Sequence, residues 1–221
     1  MQADPFQSVR EFERELCEYT GAPYAVAVNS CTMAILLACA WMRTTFAGPI
    51  EVTLPKLTYV GVPYSVLHAG FRVGWRDEDW QGEYEIGRLN IFDAARRFTQ
   101  GMFDPGAARG DSLPTRSCFE LLQCVSFHNS KILGHTQGGA ILHNVAEADP
   151  WLRRARFDGR TEGVLANEDS FTQFPAWHAY MSPDVAAALR WKLSTLPAHN
   201  ADLPRSDYPD LSKFAIFNKG A

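Results

Sequence analysis

Residues 24–42 read YAVAVNSCTMAILLACAWM, and this stretch decides the fold. Tyr24 to Val28 is a short, wholly apolar run that suits a strand buried on both faces. Asn29-Ser30-Cys31-Thr32 is a polar turn, and Met33 to Met42 is long enough and apolar enough for a buried helix. Upstream, Phe6, Val9, Phe12, Leu16 and Tyr19 recur at helical spacing, with charges between them, until Gly21 and Pro23 stop the pattern. The order is therefore helix, strand, polar turn, helix.

The same alternation continues downstream. Glu51 to Leu54 reads as a strand, Val60 to His68 as a helix and Phe71 to Trp75 as a strand. Leu89 to Phe92 is apolar and ends at Asp93. Leu121 to Phe127 and Gly139 to His143 are apolar runs that flank a polar turn carrying Lys131. Val185 to Leu196 predicts a helix after Ser182-Pro183, an N-cap followed by proline in the first turn. Strands alternating with helices predict an α/β fold with a largely parallel sheet. The division expected is one domain over 1–200 and a tail over 201–221, structured at most as a short strand at Phe214 to Phe217.

Composition narrows the function. The chain has 221 residues, of which 46% are apolar and 21% charged, with a formal net charge of −4. This gives no electrostatic case for a nucleic-acid backbone or an anionic membrane, while leaving room for a small anionic ligand held by local donors. Cysteines stand at 17, 31, 39, 118 and 124, an odd number without CxxC spacing. Neither a disulfide framework nor a metal site is expected, and a reducing cytoplasm fits. The polar N-terminus MQADPFQSVREFERE does not read as a signal peptide, and the apolar stretch Ala34 to Met42 is too short to span a bilayer.

Three polar turns each follow an apolar strand, and open α/β sheets bind ligands at the carboxyl ends of their strands. Ser30 to Thr32, Asp93, and Ser126 to Lys131 are therefore candidates for one site. Their residue types suit pyridoxal phosphate, which needs an amine for a Schiff base, an acid opposite the pyridine nitrogen and donors for its phosphate. Each also has a plainer reading. Lys131 suits an exposed loop, Asp93 and Ser30 suit helix N-caps, and Tyr59, which could stack on the ring, suits the core. Gly138-Gly139 would let the backbone approach a cofactor closely.

Taken together, these blocks resemble the DegT/DnrJ/EryC1/StrS family of pyridoxal-phosphate-dependent sugar aminotransferases. FEREL-CEYTGAPYAVAVNSCTMAI is similar to that family's first helix, strand and phosphate turn. PKLTYVGVPYSVLHAGFRV resembles its second block, IFDAAR its Glu-Asp-Ala-Ala-Gln, SFHNSKILGHTQGGAIL its lysine block, and WHAYMSPDVAAALRWKLSTLP its later block. The resemblance implies a type I fold, a three-layer α/β/α large domain whose small C-terminal domain is missing or reduced. It makes Lys131 the aldimine lysine and places Asp93 on the pyridine nitrogen. Tyr59 would lie on the ring face, and Ser30, Cys31, Thr32 and Ser126 at the phosphate.

The implied reaction moves an amino group from a donor, typically glutamate, to a keto acceptor, usually a nucleotide-linked sugar, in a homodimer with shared active sites. Departures stand at Cys31 for glycine, Phe92 for glutamate, Arg96 for glutamine and Gln137 for glutamate. Arg96 would instead reach the cofactor's phenolic oxygen or a substrate anion. His178 and Tyr180 replace an Asn-x-Arg pair, and His178 could still donate to phosphate. Little of the family's segment between Tyr84 and Asp93 remains. Alternatives are decarboxylation or elimination on an amino-acid-bearing substrate such as a modified nucleoside, and a non-catalytic protein of the same fold.

Overall fold

The computed structural model describes residues 4–45, 47–107, 120–171 and 173–218. Helix α1 (Gln7–Thr20) leads into strand β1 (Tyr24–Val28) and helix α2 (Cys31–Arg43). Strand β2 (Glu51–Pro55), helix α3 (Gly61–His68) and strand β3 (Arg72–Arg76) follow. Then come β4 (Tyr84–Glu85), β5 (Ile91–Asp93), β6 (Leu122–Ser126), β7 (Gly139–His143), α4 (Ala148–Ala155) and α5 (Pro183–Ser194).

Two sheets form among the described residues. One has the order β1-β7-β6-β5-β4, and β2 pairs with β3 separately. β1, β5 and β6 run the same way, as do β2 and β3, while β7 and β4 run against their neighbours. The sheet is thus mixed where parallel pairing was expected to dominate. The reason is local: β6 and β7 are joined by a loop without a helix, so the chain returns antiparallel instead of crossing over.

Strand alternation divides the core into two halves. Val26, Val28, Leu122, Cys124 and Ile141 face one side, where α2, α3 and α4 cover them. Ala25, Ala27, Val125, Ala140 and Leu142 face the other, against α1 and α5. The result is the three-layer α/β/α arrangement. α2 is buried nearly all round because it lies between the sheet, α3 and α4, which accounts for its unbroken apolar sequence.

β1 is an edge strand, yet its edge is buried and its backbone groups are satisfied by side chains. Glu13 of α1 accepts from the Ala27 N–H at 2.8 Å. Arg156 donates to the Ala27 carbonyl at 2.5 Å, and Arg153 to that of Ala25 at 3.1 Å. Both guanidinium groups also pair with Glu13. A second chain therefore finds no open ladder on this side.

Two local expectations change. Phe214 to Phe217 is not a strand; 3-10 turns occupy Leu211–Lys213 and Ala215–Phe217, the first capped by Asp210, whose carboxylate accepts from the Ser212 N–H at 3.1 Å. Phe217 is fixed instead by edge contacts with Tyr64 and Trp75. Helix α4 was not foreseen. Its Pro150 lies in the first turn, where no intrahelical donor is lost.

Candidate active site

Register brings the three polar turns together. Val28 pairs with Gly139, Gly139 with Ser126, and Cys124 with Asp93, so the carboxyl ends of β1, β6 and β5 lie along one edge of the sheet. At that edge a cavity of about 360 Å³ opens. Ser30, Cys31, Thr32, Tyr59, Asp93, Arg96, Ser126 and Lys131 all line it. His178 does not. It stands outside, 70% exposed, with its ring against the Asp158 carboxylate at 2.7 Å.

Each side chain is positioned by its element. Ser30 is the N-cap of α2, its hydroxyl accepting from the Met33 N–H at 3.2 Å, so capping and site lining coincide in one residue. The first turn of α2 lies at the cavity end that holds Ser30 and Thr32, and a helix N-terminus is a setting suited to an anion. Gly139 starts β7 so close to this turn that a Cβ would lie 2.5 Å from the Cys31 nitrogen. Gly139 thus serves contact between backbone segments by meeting the α2 turn, whereas Gly138 is required by its φ of +126. Lys131 sits in a tight loop closed by backbone bonds from Lys131 to His128 and from His135 to Phe127.

Asp93 is buried at the end of β5. The Tyr84 hydroxyl donates to its Oδ2 at 2.8 Å and the Ala95 N–H to its Oδ1 at 3.0 Å. Thr58, whose hydroxyl lies 2.5 Å from that of Tyr84, extends this chain. Burial pushes the Asp93 carboxyl up, against the opposing pull of Tyr84, Ala95 and Lys131. Among the described residues no lysine or arginine lies within ion-pair distance of it. A cation brought to this carboxylate would relieve its desolvation. Lys131 is held below the ordinary amine range, first by burial and then by the positive charge of Arg96. The Cys31 thiol is pushed well above its usual range by burial and by Asp93, so it lines the wall as a neutral group.

Tyr84 and Thr58, hydrogen-bonded in line behind Asp93, are residues of the candidate site the sequence did not flag. Their segments carry no periodicity, and their role depends on the pairing of β4 with β5. The outer wall was also missed. The segment from Ala201 to Leu211 crosses the cavity mouth as a strap, its Leu203 N–H donating to the Arg96 carbonyl and its Leu211 N–H to that of Lys56, both at 2.9 Å. Ser206 and Tyr208 of this strap line the cavity, and Tyr208 stacks near Trp80 with ring centroids 6.4 Å apart.

These groups fit pyridoxal phosphate. An amine of lowered basicity and an unpaired buried carboxylate share one cavity, beside hydroxyls and a helix N-terminus. Among the described residues no cluster of metal-ligating side chains occurs, and no helix is long and apolar enough to cross a membrane. Cys17, Cys31, Cys39 and Cys124 are free thiols, and Cys118 lies outside the described residues.

Known proteins resemble this chain in sequence over part of its length and in fold over most of it. Residues 3–88 match the model of the DegT/DnrJ/EryC1/StrS aminotransferase family. The spore coat polysaccharide biosynthesis protein SpsC of Bacillus subtilis is 38% identical over 72 residues, which is 32% of this chain and 18% of that protein. The UDP-4-amino-4,6-dideoxy-N-acetyl-beta-L-altrosamine transaminase of Campylobacter jejuni is 25% identical over 213 residues, covering 83% of this chain and 55% of the relative. A DegT DnrJ EryC1 StrS aminotransferase from Brucella abortus superposes with a TM-score of 0.61 at 21% identity, covering 86% of this chain and 59% of the other. The chain therefore spans little more than half the length of these longer matches. Over residues 3–88 the sequence is similar to that of the DegT/DnrJ/EryC1/StrS aminotransferase family, and over most of its length the chain shares the fold of a solved aminotransferase of that name.

Proposed function

We propose that the chain binds pyridoxal phosphate and moves an amino group from an amino-acid donor, glutamate in the first instance, to a keto acceptor of the nucleotide-linked sugar class. The observation that carries this reading is the presence of Lys131 and Asp93 in one cavity, with the first an amine of lowered basicity and the second a buried carboxylate without a cation. When bound, the cofactor supplies an aldehyde and an electron-withdrawing ring.

The chain's own residues supply the rest. The lowered basicity of Lys131 gives its Nζ a larger free-amine fraction near neutral pH, the form that attacks a carbonyl carbon. Once released, the same Nζ can take a proton from a substrate Cα and return it nearby. The Asp93 carboxylate, oriented by Tyr84 and Ala95, would hold a proton on the ring nitrogen of a bound cofactor by charge pairing. The first turn of α2, with Ser30, Thr32 and Ser126, offers donors to a phosphate. Tyr59, 53% exposed and lining the cavity, would be the residue to lie against a bound ring. The strap with Ser206 and Tyr208 limits access of water.

We further infer a homodimer in the cytoplasm. His178 lies outside its own chain's cavity, where it is available to a second copy, and the free thiols suit a reducing compartment. Sedimentation should give twice the chain mass; a monomer at micromolar concentration would overturn the shared site.

The test of the main reading is the absorption spectrum. The freshly purified chain, reconstituted with pyridoxal phosphate, should show a visible band that borohydride traps on Lys131. Glutamate should bleach it. Absence of the band, or its persistence in Lys131→Ala, would overturn the assignment.

A further inference from the structure

We propose that Arg96, held by the C-terminal strap, is the specificity-determining residue that binds a carboxylate of the amino donor. This rests on the function proposed above and adds the chemical class of donor it selects.

The case begins with a contrast between adjacent arginines. Arg97 pairs with Glu83 and with Asp202 of the strap, the latter at 2.6 Å. Arg96 has no ion pair among the described residues. Its Nη2 donates to the Ser206 hydroxyl, and its Nε has no hydrogen-bond partner. The same strap thus consumes one guanidinium and leaves the charge of the next uncommitted in the cavity wall. With Lys131 used as a free amine and Asp93 facing the ring nitrogen, Arg96 is the cation of the cavity lining that has no counter-charge among the described residues.

Placement indicates which anion. Both ends of Arg96 are tied to the strap, through its carbonyl to Leu203 and its side chain to Ser206. It therefore belongs to the outer wall with Tyr208 and Trp80, where a substrate enters. A planar guanidinium matches a carboxylate with two parallel hydrogen bonds, and an aromatic wall keeps water from screening the pair. A carboxylate seated on Arg96 leaves the donor's amino group free to reach the Lys131 side of the same cavity. A dicarboxylic donor has two carboxylates, and alanine has only the one on Cα, so comparing them identifies which is held.

The test uses the full chain loaded with cofactor, and the variants Arg96→Gln, Arg96→Lys and Ser206→Ala. Arg96→Gln should raise the Kd for glutarate, an inert dicarboxylate, and the KM for glutamate by about tenfold or more. At a pH where Lys131 is the free amine in both proteins, cofactor affinity should stay within about twofold and the band should not move. Arg96→Lys should recover part of the loss, and Ser206→Ala should give a smaller loss in the same direction. An equal rise in KM for alanine assigns the contact to the carboxylate on Cα; a rise for glutamate alone assigns it to the side-chain carboxylate. Unchanged glutarate binding would overturn the proposal, as would loss of cofactor affinity instead, or weakened binding of UDP in place of glutarate. A wild-type chain without a visible band would defeat the proposed function; calorimetry of glutarate binding to the cofactor-free chain would still decide the role of Arg96.

Discussion

Two groups of buried charge lie in this molecule and are treated in opposite ways. Behind β1, Glu13 is shared by Arg153 and Arg156, Asp149 accepts from Arg153 at 2.8 Å, and backbone groups of Ala25 and Ala27 complete the set. Every charge has a partner. At the cavity, Asp93, Lys131 and Arg96 are buried or half-buried without ion pairs among the described residues. The first group closes a sheet edge and fixes α1 and α4 to it. The second has hydrogen bonds to Asp93 and Arg96 but no counter-charge among the described residues, a setting that suits a charged ligand. Paired burial marks structure here, and unpaired burial marks the site.

The comparison is broken most severely through Glu13. Glu13→Ala should cost about 3–5 kcal/mol, because it strands the Arg156 guanidinium and the Ala27 N–H; a denaturant midpoint unchanged from wild type would deny the network its structural role. Asp93→Asn should act in the opposite way. It removes a buried charge; its amide oxygen can still accept from the Ala95 N–H, while its NH2 donates to the Tyr84 hydroxyl, which turns to donate to Thr58. Stability at neutral pH should therefore be equal to wild type or higher, while cofactor affinity falls; equilibrium unfolding and a cofactor titration measure the two separately.

The pH dependences should also have opposite signs. For Glu13, burial raises the pKa, but Arg156 and Arg153 outweigh it and hold the carboxyl below its ordinary value. Its contribution is present above the unfolded pKa and is lost as pH falls through the folded one. Asp93 is raised, chiefly by burial, so its relative contribution is fully present below the unfolded pKa and is lost as pH rises through the folded one. Stability curves against pH for Glu13→Gln and Asp93→Asn should therefore diverge from wild type in opposite directions; parallel curves would remove the distinction. The smallest effect concerns Lys131. Burial is the larger cause of its lowered pKa and Arg96 the second, so Arg96→Gln should move cofactor capture modestly to higher pH, followed by the visible band across a pH series.

What the sequence revealed follows the range of the interactions involved. α1, β1 and β7 were legible because burial on a helix face or in a strand imposes a pattern on neighbouring residues, as at Val9, Phe12 and Leu16. The inner wall of the site was legible for a related reason: Ser30, Asp93 and Ser126 end or follow apolar strands, and parallel strands bring such ends together. The outer wall was not legible. The contact between Ser206 and Arg96 joins residues far apart in sequence, in a segment without periodicity. Tyr84 was hidden likewise, because β4 has only two residues. The reversal of β7 depended on how a loop returns, and no apolar pattern records direction.

The close approach at Gly139 has a consequence for how this protein can change. A methyl group there would press on the first peptide of α2, which belongs to a stretch of sequence more than a hundred residues earlier. Those two stretches form one mechanical joint and can drift only in step. A library randomised around Lys131 should tolerate many exposed loop residues yet keep glycine at this position, even under selection for folding alone.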